Sequence, residues 1–224
     1  EKENLSRLEV ELMKFINSSK YKTKILIVDD GSTDGSKEII KGLCKKNNFF
    51  ESISFKNNHG LSSALKAGFD LCNSEYLGYI DADLQTSPSN FHNLLKYIEE
   101  YDLVTGYRTN RKDSLIKKLT SLAANSIRNL FTNDGINDTG CPLKIIKTDY
   151  AKRIPMFKGL HRFLPAMVLL QKGNIIEIPI KHFPRIAGKA KFGLLNRILD
   201  PFLDSLAFIW MKRNYINYQI EELK

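Results

Sequence analysis

Apolar positions along the chain follow two periods. Leu5, Leu8, Leu12, Phe15 and Ile16 recur at helical spacing and predict a helix over residues 3–18. Lys24–Asp29 reads KILIVD, a short β-rich apolar run that predicts a buried strand ending in acids. The same reasoning puts strands at Ile53–Phe55, Tyr76–Ile80, Leu103–Tyr107, Leu143–Ile146 and Ile175–Ile180. Helices fall between them at Thr33–Lys46, with Ser32 or Thr33 as cap, and at Leu61–Cys72, Asn90–Glu100, Asp113–Phe131 and Phe163–Gln171. A last helix is expected over Leu194–Tyr215, with Pro201 inside its pattern. Strands and helices alternating at this spacing predict an α/β fold with a mostly parallel sheet and helices on both faces.

Composition narrows the class. With 224 residues, 42% hydrophobic and 26% charged, the chain reads as an ordinary globular protein. No apolar run reaches the roughly 18–20 residues of a bilayer span, and no basic-then-apolar leader is visible. Cys44, Cys72 and Cys141 lie far apart and odd in number, as expected of thiols in a reducing cytoplasm.

Charge is divided unevenly. Residues 1–150 hold 21 basic and 20 acidic side chains, whereas residues 151–224 hold 13 and 5. The net charge of +9 therefore sits almost wholly in the last third. An anionic partner is expected there: a phosphorylated substrate, an anionic membrane face or nucleic acid. A merely solvated basic surface is the plainer alternative. Nucleic acid is disfavoured, since the bases lack aromatic interleaving and no nucleic-acid-binding motif appears.

Two predicted strands end in acid clusters. Ligands of open α/β sheets bind at the carboxyl ends of strands. Asp29-Asp30-Gly31-Ser32 follows the first strand, where Gly31 permits a sharp turn and the carboxylates suit a nucleobase N–H or a ribose hydroxyl. An ordinary strand–turn–helix joint would also use such residues. Asp81-Ala82-Asp83-Leu84-Gln85 follows another strand. An extended backbone would put Asp81 and Asp83 on one side, where like charges call for a cation. Hard oxygen donors of this kind suit Mg2+ or Mn2+ shared with substrate phosphates.

Taken in order, VDDGSTDGS (28–36), NNHGLSSALKAGF (57–69) and YIDADLQTSP (79–88) resemble the nucleotide-sugar core of the inverting family 2 glycosyltransferases. NDTGCPLK (137–144), GLHRFLPAM (159–167) and PRIAGKAKFG (184–193) resemble later motifs of its dolichol-phosphate mannosyltransferase and polyprenyl-phosphate glycosyltransferase branch. The resemblance implies the family's GT-A fold, a Rossmann-like nucleotide-diphospho-sugar transferase architecture. It implies transfer of a sugar, with inversion, from a nucleotide-diphosphate sugar to a polyprenyl phosphate (dolichyl or undecaprenyl). Asp29, Asp30, Gly31, Ser32, Asn58, Gly60, Asp81 and Ala82 would bind the donor, with Arg185 and Lys191 on a loop over the diphosphate. Asp81, Asp83 and Gln85 would hold the metal. Arg108, Ser121 and Asn125 would face the acceptor phosphate. Asp138 would orient or deprotonate an acceptor, or else stabilise a turn, and His161 and Arg162 would contact phosphate, with a structural role at a helix entry as the alternative for His161. Ala190 stands where the family often has Ser, so one hydroxyl contact of that loop is absent.

The family pattern also has a strand ending P-x-Y-N-E ahead of the first helix. Glu1-Lys2-Glu3-Asn4-Leu5 resembles the residues just after it, so a sheet short of its first strand is expected. The expected organisation is a transferase domain over 1–193, with a nucleotide-sugar and metal part (1–150) and a basic part (151–193). Residues 194–224 are expected to form an amphipathic helix, whose Phe202, Trp210, Lys212 and Arg213 suit peripheral binding at the cytoplasmic face of a membrane; a helix packed in part on the sheet is the plainer alternative. Three rival readings stand beside this one: a family 2 enzyme acting on a sugar hydroxyl in cell-envelope polysaccharide synthesis, a catalytically silent nucleotide-binding module, and a nucleotidyltransferase.

Overall fold

The computed structural model describes residues 2–109, 125–126, 128–183, 199–217 and 221. Helix α1 (Leu5–Ser18) follows a 3-10 turn and buries Leu5, Leu8, Leu12 and Phe15, the stripe its periodicity requires. Strand β1 (Ile25–Asp29), helix α2 (Ser36–Lys46), strand β2 (Phe50–Ser54), helix α3 (Leu61–Leu71) and strand β3 (Tyr76–Tyr79) come next. Then follow α4 (Phe91–Leu94), β4 (Leu103–Thr109), β5 (Lys144–Lys147), α5 (Thr148–Arg153), α6 (Leu164–Leu170), β6 (Ile175–Lys181) and α7 (Leu199–Asn214).

β1 and β2 form a parallel pair, from Ile25↔Phe50 to Asp29↔Ser54. A four-stranded sheet has the order β3-β5-β4-β6. Here β4 and β6 are parallel, but β5 runs antiparallel to both β3 and β4. The described ladders are thus half parallel and half antiparallel. Strands β3, β4 and β6 nonetheless point the same way, so their carboxyl ends share one edge. β1 and β3 belong to separate sheets among the described residues.

Neighbouring strand residues face opposite layers, as the period of two demands. Leu103 and Ile146 join a core with α3, α5, α6 and α7, while Val104 and Ile145 join one with Phe15, Phe91 and Leu94. A third core packs α1 and α2 onto β1 and takes in Leu84 of the DADLQ segment.

Several boundaries differ from the sequence reading. α2 starts at Ser36 with left-handed Gly35 before it, so Ser32 and Thr33 do not cap it. The Asp34 carboxylate instead accepts the Ser36 N–H at 3.0 Å, because the loop makes a second glycine turn first. Regular helix over 90–100 stops at Leu94, and i→i−3 bonds such as Tyr97 N–H to Leu94 O wind the rest into tighter turns. Most of the expected helix 113–131 lies outside the described residues.

Candidate functional site

β1 delivers Asp29 and Asp30 to a turn that only glycine can close. Gly31 has φ +71°, and a Cβ there would stand 2.6 Å from the Asn57 carbonyl carbon and 2.8 Å from the Asn58 nitrogen. That close approach lets Asp30 grip the next loop. Its carboxylate accepts N–H groups of His59 (2.7 Å) and Gly60 (2.8 Å) and the Asn58 side-chain amide (2.8 Å). Asp30, Asn58 and Gly60, expected as donor ligands, are thereby brought together, with Asp30 as the clamp. Asp29 is buried; Oδ1 accepts the Ser32 N–H at 3.1 Å, while Oδ2 is buried with no hydrogen-bond partner. A buried carboxylate oxygen without a donor is costly, and a ligand N–H or O–H satisfies it.

β3 ends at Tyr79 and hands the chain to Asp81-Ala82-Asp83-Leu84-Gln85. The segment is a turn, not extended strand: Leu84 has φ +55°, its side chain is buried, and Asp83 Oδ1 accepts the Gln85 N–H at 3.0 Å. The strand-pleat argument that put Asp81 and Asp83 on one side therefore does not apply here. Gln85 O accepts the Phe183 N–H at 2.9 Å and Thr86 bridges to His182, which ties this turn to the chain leaving β6. Two carboxylates and an amide oxygen are hard donors too few to fill an octahedron. They fit Mg2+ or Mn2+ with phosphate oxygens in the remaining positions.

At the end of β4 stands Arg108. Its Nε and Nη2 donate to Asp138 Oδ2 (2.8 Å) and Oδ1 (2.7 Å), and its backbone N–H donates to Oδ2 at 3.0 Å. Both groups are largely buried, the setting in which a bidentate pair is well defined. Asn125 donates to Asn137 O at 2.7 Å and accepts from Thr139 Oγ1 at 3.4 Å. Arg108, Asn125 and Asp138 therefore form one cluster around the loop Asn137–Cys141. Beneath it Lys144, wholly buried, donates to Thr139 O at 3.2 Å and to Cys141 O.

His161 and Arg162 have other engagements. His161 Nδ1 is hydrogen-bonded to Ser62 Oγ at 2.8 Å, and burial lowers its pKa to about 4, so the ring is neutral near pH 7. Arg162 Nη1 donates to Asp204 Oδ2 of α7 at 2.8 Å. These contacts hold α3 and α7 to the turn at residues 159–163, the structural alternative for His161, and Arg162 shares that bracing role. Ser121, Arg185 and Lys191 lie outside the described residues.

Sequence reasoning missed Glu177, whose carboxylate accepts the Asp138 N–H (2.8 Å), the Asn137 N–H (3.1 Å) and the Asn137 side-chain amide (2.9 Å). It also passed over Lys144. The signal was present in both: one acid in IIEIPIK and one base beside an apolar strand.

Among curated proteins, the chain is 30% identical over 199 residues to dodecaprenyl-phosphate galacturonate synthase of Rhizobium johnstonii, covering 86% of this chain and 59% of that one. It is 32% identical over 177 residues to undecaprenyl-phosphate 4-deoxy-4-formamido-L-arabinose transferase of Photorhabdus laumondii subsp. laumondii, covering 78% and 54%. The chain thus spans somewhat over half the length of these relatives. Among solved structures, mannosyl-3-phosphoglycerate synthase from Rubrobacter xylanophilus superposes with a TM-score of 0.71 at 16% identity, over 97% of this chain and 73% of that one. Glucosyl-3-phosphoglycerate synthase from Mycobacterium tuberculosis, in complex with Mn2+, UDP and glucosyl-3-phosphoglycerate, gives 0.64 at 13% identity, over 93% and 74%. These neighbours have the GT-A fold, and this chain shares it. The family model for glycosyl transferase family 2 matches residues 6–154, which include both acid-ended turns and the Arg108–Asp138 pair; the chain belongs to that family.

Proposed function

We propose that the chain is the transferase domain of an enzyme that moves a sugar from a nucleotide-diphosphate donor to a polyprenyl phosphate, with inversion. The observation that carries this reading is the Arg108–Asp138 fork at the strand edge that also carries Asp81 and Asp83. Asp29 and the 58–60 loop would take the nucleoside. Asp81, Asp83 and Gln85 would hold Mg2+ or Mn2+ on the diphosphate, where a bound cation neutralises charge as the nucleoside diphosphate leaves. Arg108 would meet the acceptor phosphate. Such a phosphate is already an anion near neutral pH, so a strong base is unnecessary and positioning is the main task. Asp138 has both oxygens engaged by Arg108, which favours this acceptor over a sugar hydroxyl that needs a base. The names of the two curated relatives support the same class of acceptor.

The finer reading includes peripheral binding at the cytoplasmic membrane face. No helix among the described residues is long and apolar enough to cross a membrane. α7 buries Ser205 and Phe208 against the core but exposes Leu203 (61%) and Trp210 (69%) beside Lys212 and Arg213. This outer face suits an anionic lipid surface.

The test is to incubate the whole protein with Mn2+, a panel of nucleotide sugars and a short polyprenyl phosphate, and to look for a sugar phospholipid. Product is expected from one donor and lost in Asp81→Asn/Asp83→Asn. Transfer to a free sugar hydroxyl but not to the lipid phosphate would overturn the acceptor assignment.

A further inference from the structure

We infer that Glu177 and Lys144 are positioning residues: together they lock the loop Asn137–Cys141 so that Asp138 presents Arg108 in one orientation at the acceptor end of the site. The inference rests on the proposed acceptor role of Arg108.

Glu177 sits in β6 opposite Thr105 of β4, three residues before Arg108 in the same ladder. An acid within the apolar strand IIEIPIK contributes nothing to the core. Its two oxygens instead collect three N–H groups from Asn137 and Asp138, all between 2.8 and 3.1 Å. Lys144 holds the same loop through its carbonyls. Its partners are the oxygens of Thr139 and Cys141, and its ammonium lies 5.7 Å from the centre of the Tyr79 ring. A fully buried ammonium bonded to carbonyls rather than a carboxylate is expensive to keep. Burial accordingly lowers the Lys144 pKa from its ordinary value.

The two side chains are complementary in kind. A carboxylate takes N–H groups and an ammonium takes carbonyls, so the loop is held in register along its length. Asp138 is the only residue of that loop with both its N–H and its carboxylate used this way: the N–H by Glu177, the carboxylate by Arg108. The path from β6 to the guanidinium is therefore continuous: Glu177, the 137–138 backbone, Asp138, Arg108. Glu177 needs no contact with substrate to set where Arg108 points.

The test uses the full protein and four variants: Glu177→Ala, Glu177→Gln, Lys144→Met and Arg108→Ala. Glu177→Ala and Lys144→Met are expected to raise the acceptor KM about tenfold or more, with nucleotide affinity within about twofold of the parent. Glu177→Gln keeps one acceptor oxygen and should recover part of the loss. In an Arg108→Ala background, Glu177→Ala should have no further effect on the acceptor KM. The second readout needs no acceptor: the Arg108 Nε–H resonance, assigned by its loss in Arg108→Ala, should shift in Glu177→Ala and Glu177→Gln. An unchanged resonance in folded Glu177→Gln would overturn the inference, as would full additivity of Glu177→Ala with Arg108→Ala. If the resonance shifts while Arg108→Ala leaves the acceptor KM unchanged, positioning stands and the acceptor role of Arg108 fails.

Discussion

Arg108 and Asp138 face each other as two forks, Nε to Oδ2 at 2.8 Å and Nη2 to Oδ1 at 2.7 Å, with the Arg108 backbone N–H closing on the same carboxylate. A carboxylate used this way orients a cation rather than taking a proton. Asp138→Asn should therefore raise the acceptor KM about tenfold while kcat is largely kept. Loss of a general base would instead lower kcat by about 10^2–10^4-fold. Steady-state kinetics with the lipid phosphate varied separates the two.

The DADLQ turn predicts metal dependence with a particular signature. Asp81→Asn combined with Asp83→Asn removes both charged donors of the proposed set. Mn2+ affinity, read by electron paramagnetic resonance or calorimetry in the presence of nucleoside diphosphate, should fall at least tenfold, and transfer should fall with it. Retained Mn2+ affinity would place the ion elsewhere.

Gly31→Ala should be severe. The substitution demands φ +71° from an L-residue and drives Cβ to 2.6 Å from backbone atoms that cannot swing away. A loss of more than about 2 kcal/mol is expected in denaturant unfolding. Nucleotide binding should weaken as well, because the Asp30 clamp on residues 58–60 depends on that approach.

His161 makes stability fall in acid. Burial depresses its folded pKa to about 4 from an ordinary 6.5. As pH drops below about 6.5 the unfolded chain takes the proton first, and the native state takes it only near 4. Its contribution is thus whole above 6.5 and lost between 6.5 and 4, with a slope of up to about 1.4 kcal/mol per pH unit. His161→Gln should flatten that part of the stability profile, measured by urea melts from pH 7 to pH 4.

Phe208 anchors α7. Its ring stacks on Phe163 with centroids 5.4 Å apart, and it is 1% exposed. Phe208→Ala should cost about 3–5 kcal/mol. Trp210→Ser, on the outer face, should leave the melting temperature nearly unchanged.

The amphipathic stripe of α1, the β1 run and both acidic turns were legible because each is a local pattern. Leu5, Leu8, Leu12 and Phe15 encode a helix face by spacing alone. The direction of β5 was not legible, since a long connection after β4 leaves the return path to tertiary packing. Nor was the turn that follows β3, where Leu84 is left-handed and buried in place of the extended backbone its sequence suggested. Glu177 stayed hidden because its partners, the N–H groups of residues 137 and 138, lie about 40 positions away. Side-chain-to-backbone pairs of that separation leave no periodicity to read.

α7 lies so close to the turn before α6 that a Cβ on Gly159 would stand 2.2 Å from the Asp204 carboxylate, and Arg162 closes the contact from the same turn. Anything that grips the outer face of α7 therefore grips the wall of the core. By mass action, its binding energy adds to the folding free energy. On the membrane reading proposed above, thermal tolerance reports what the helix rests on: anionic vesicles should raise the melting temperature.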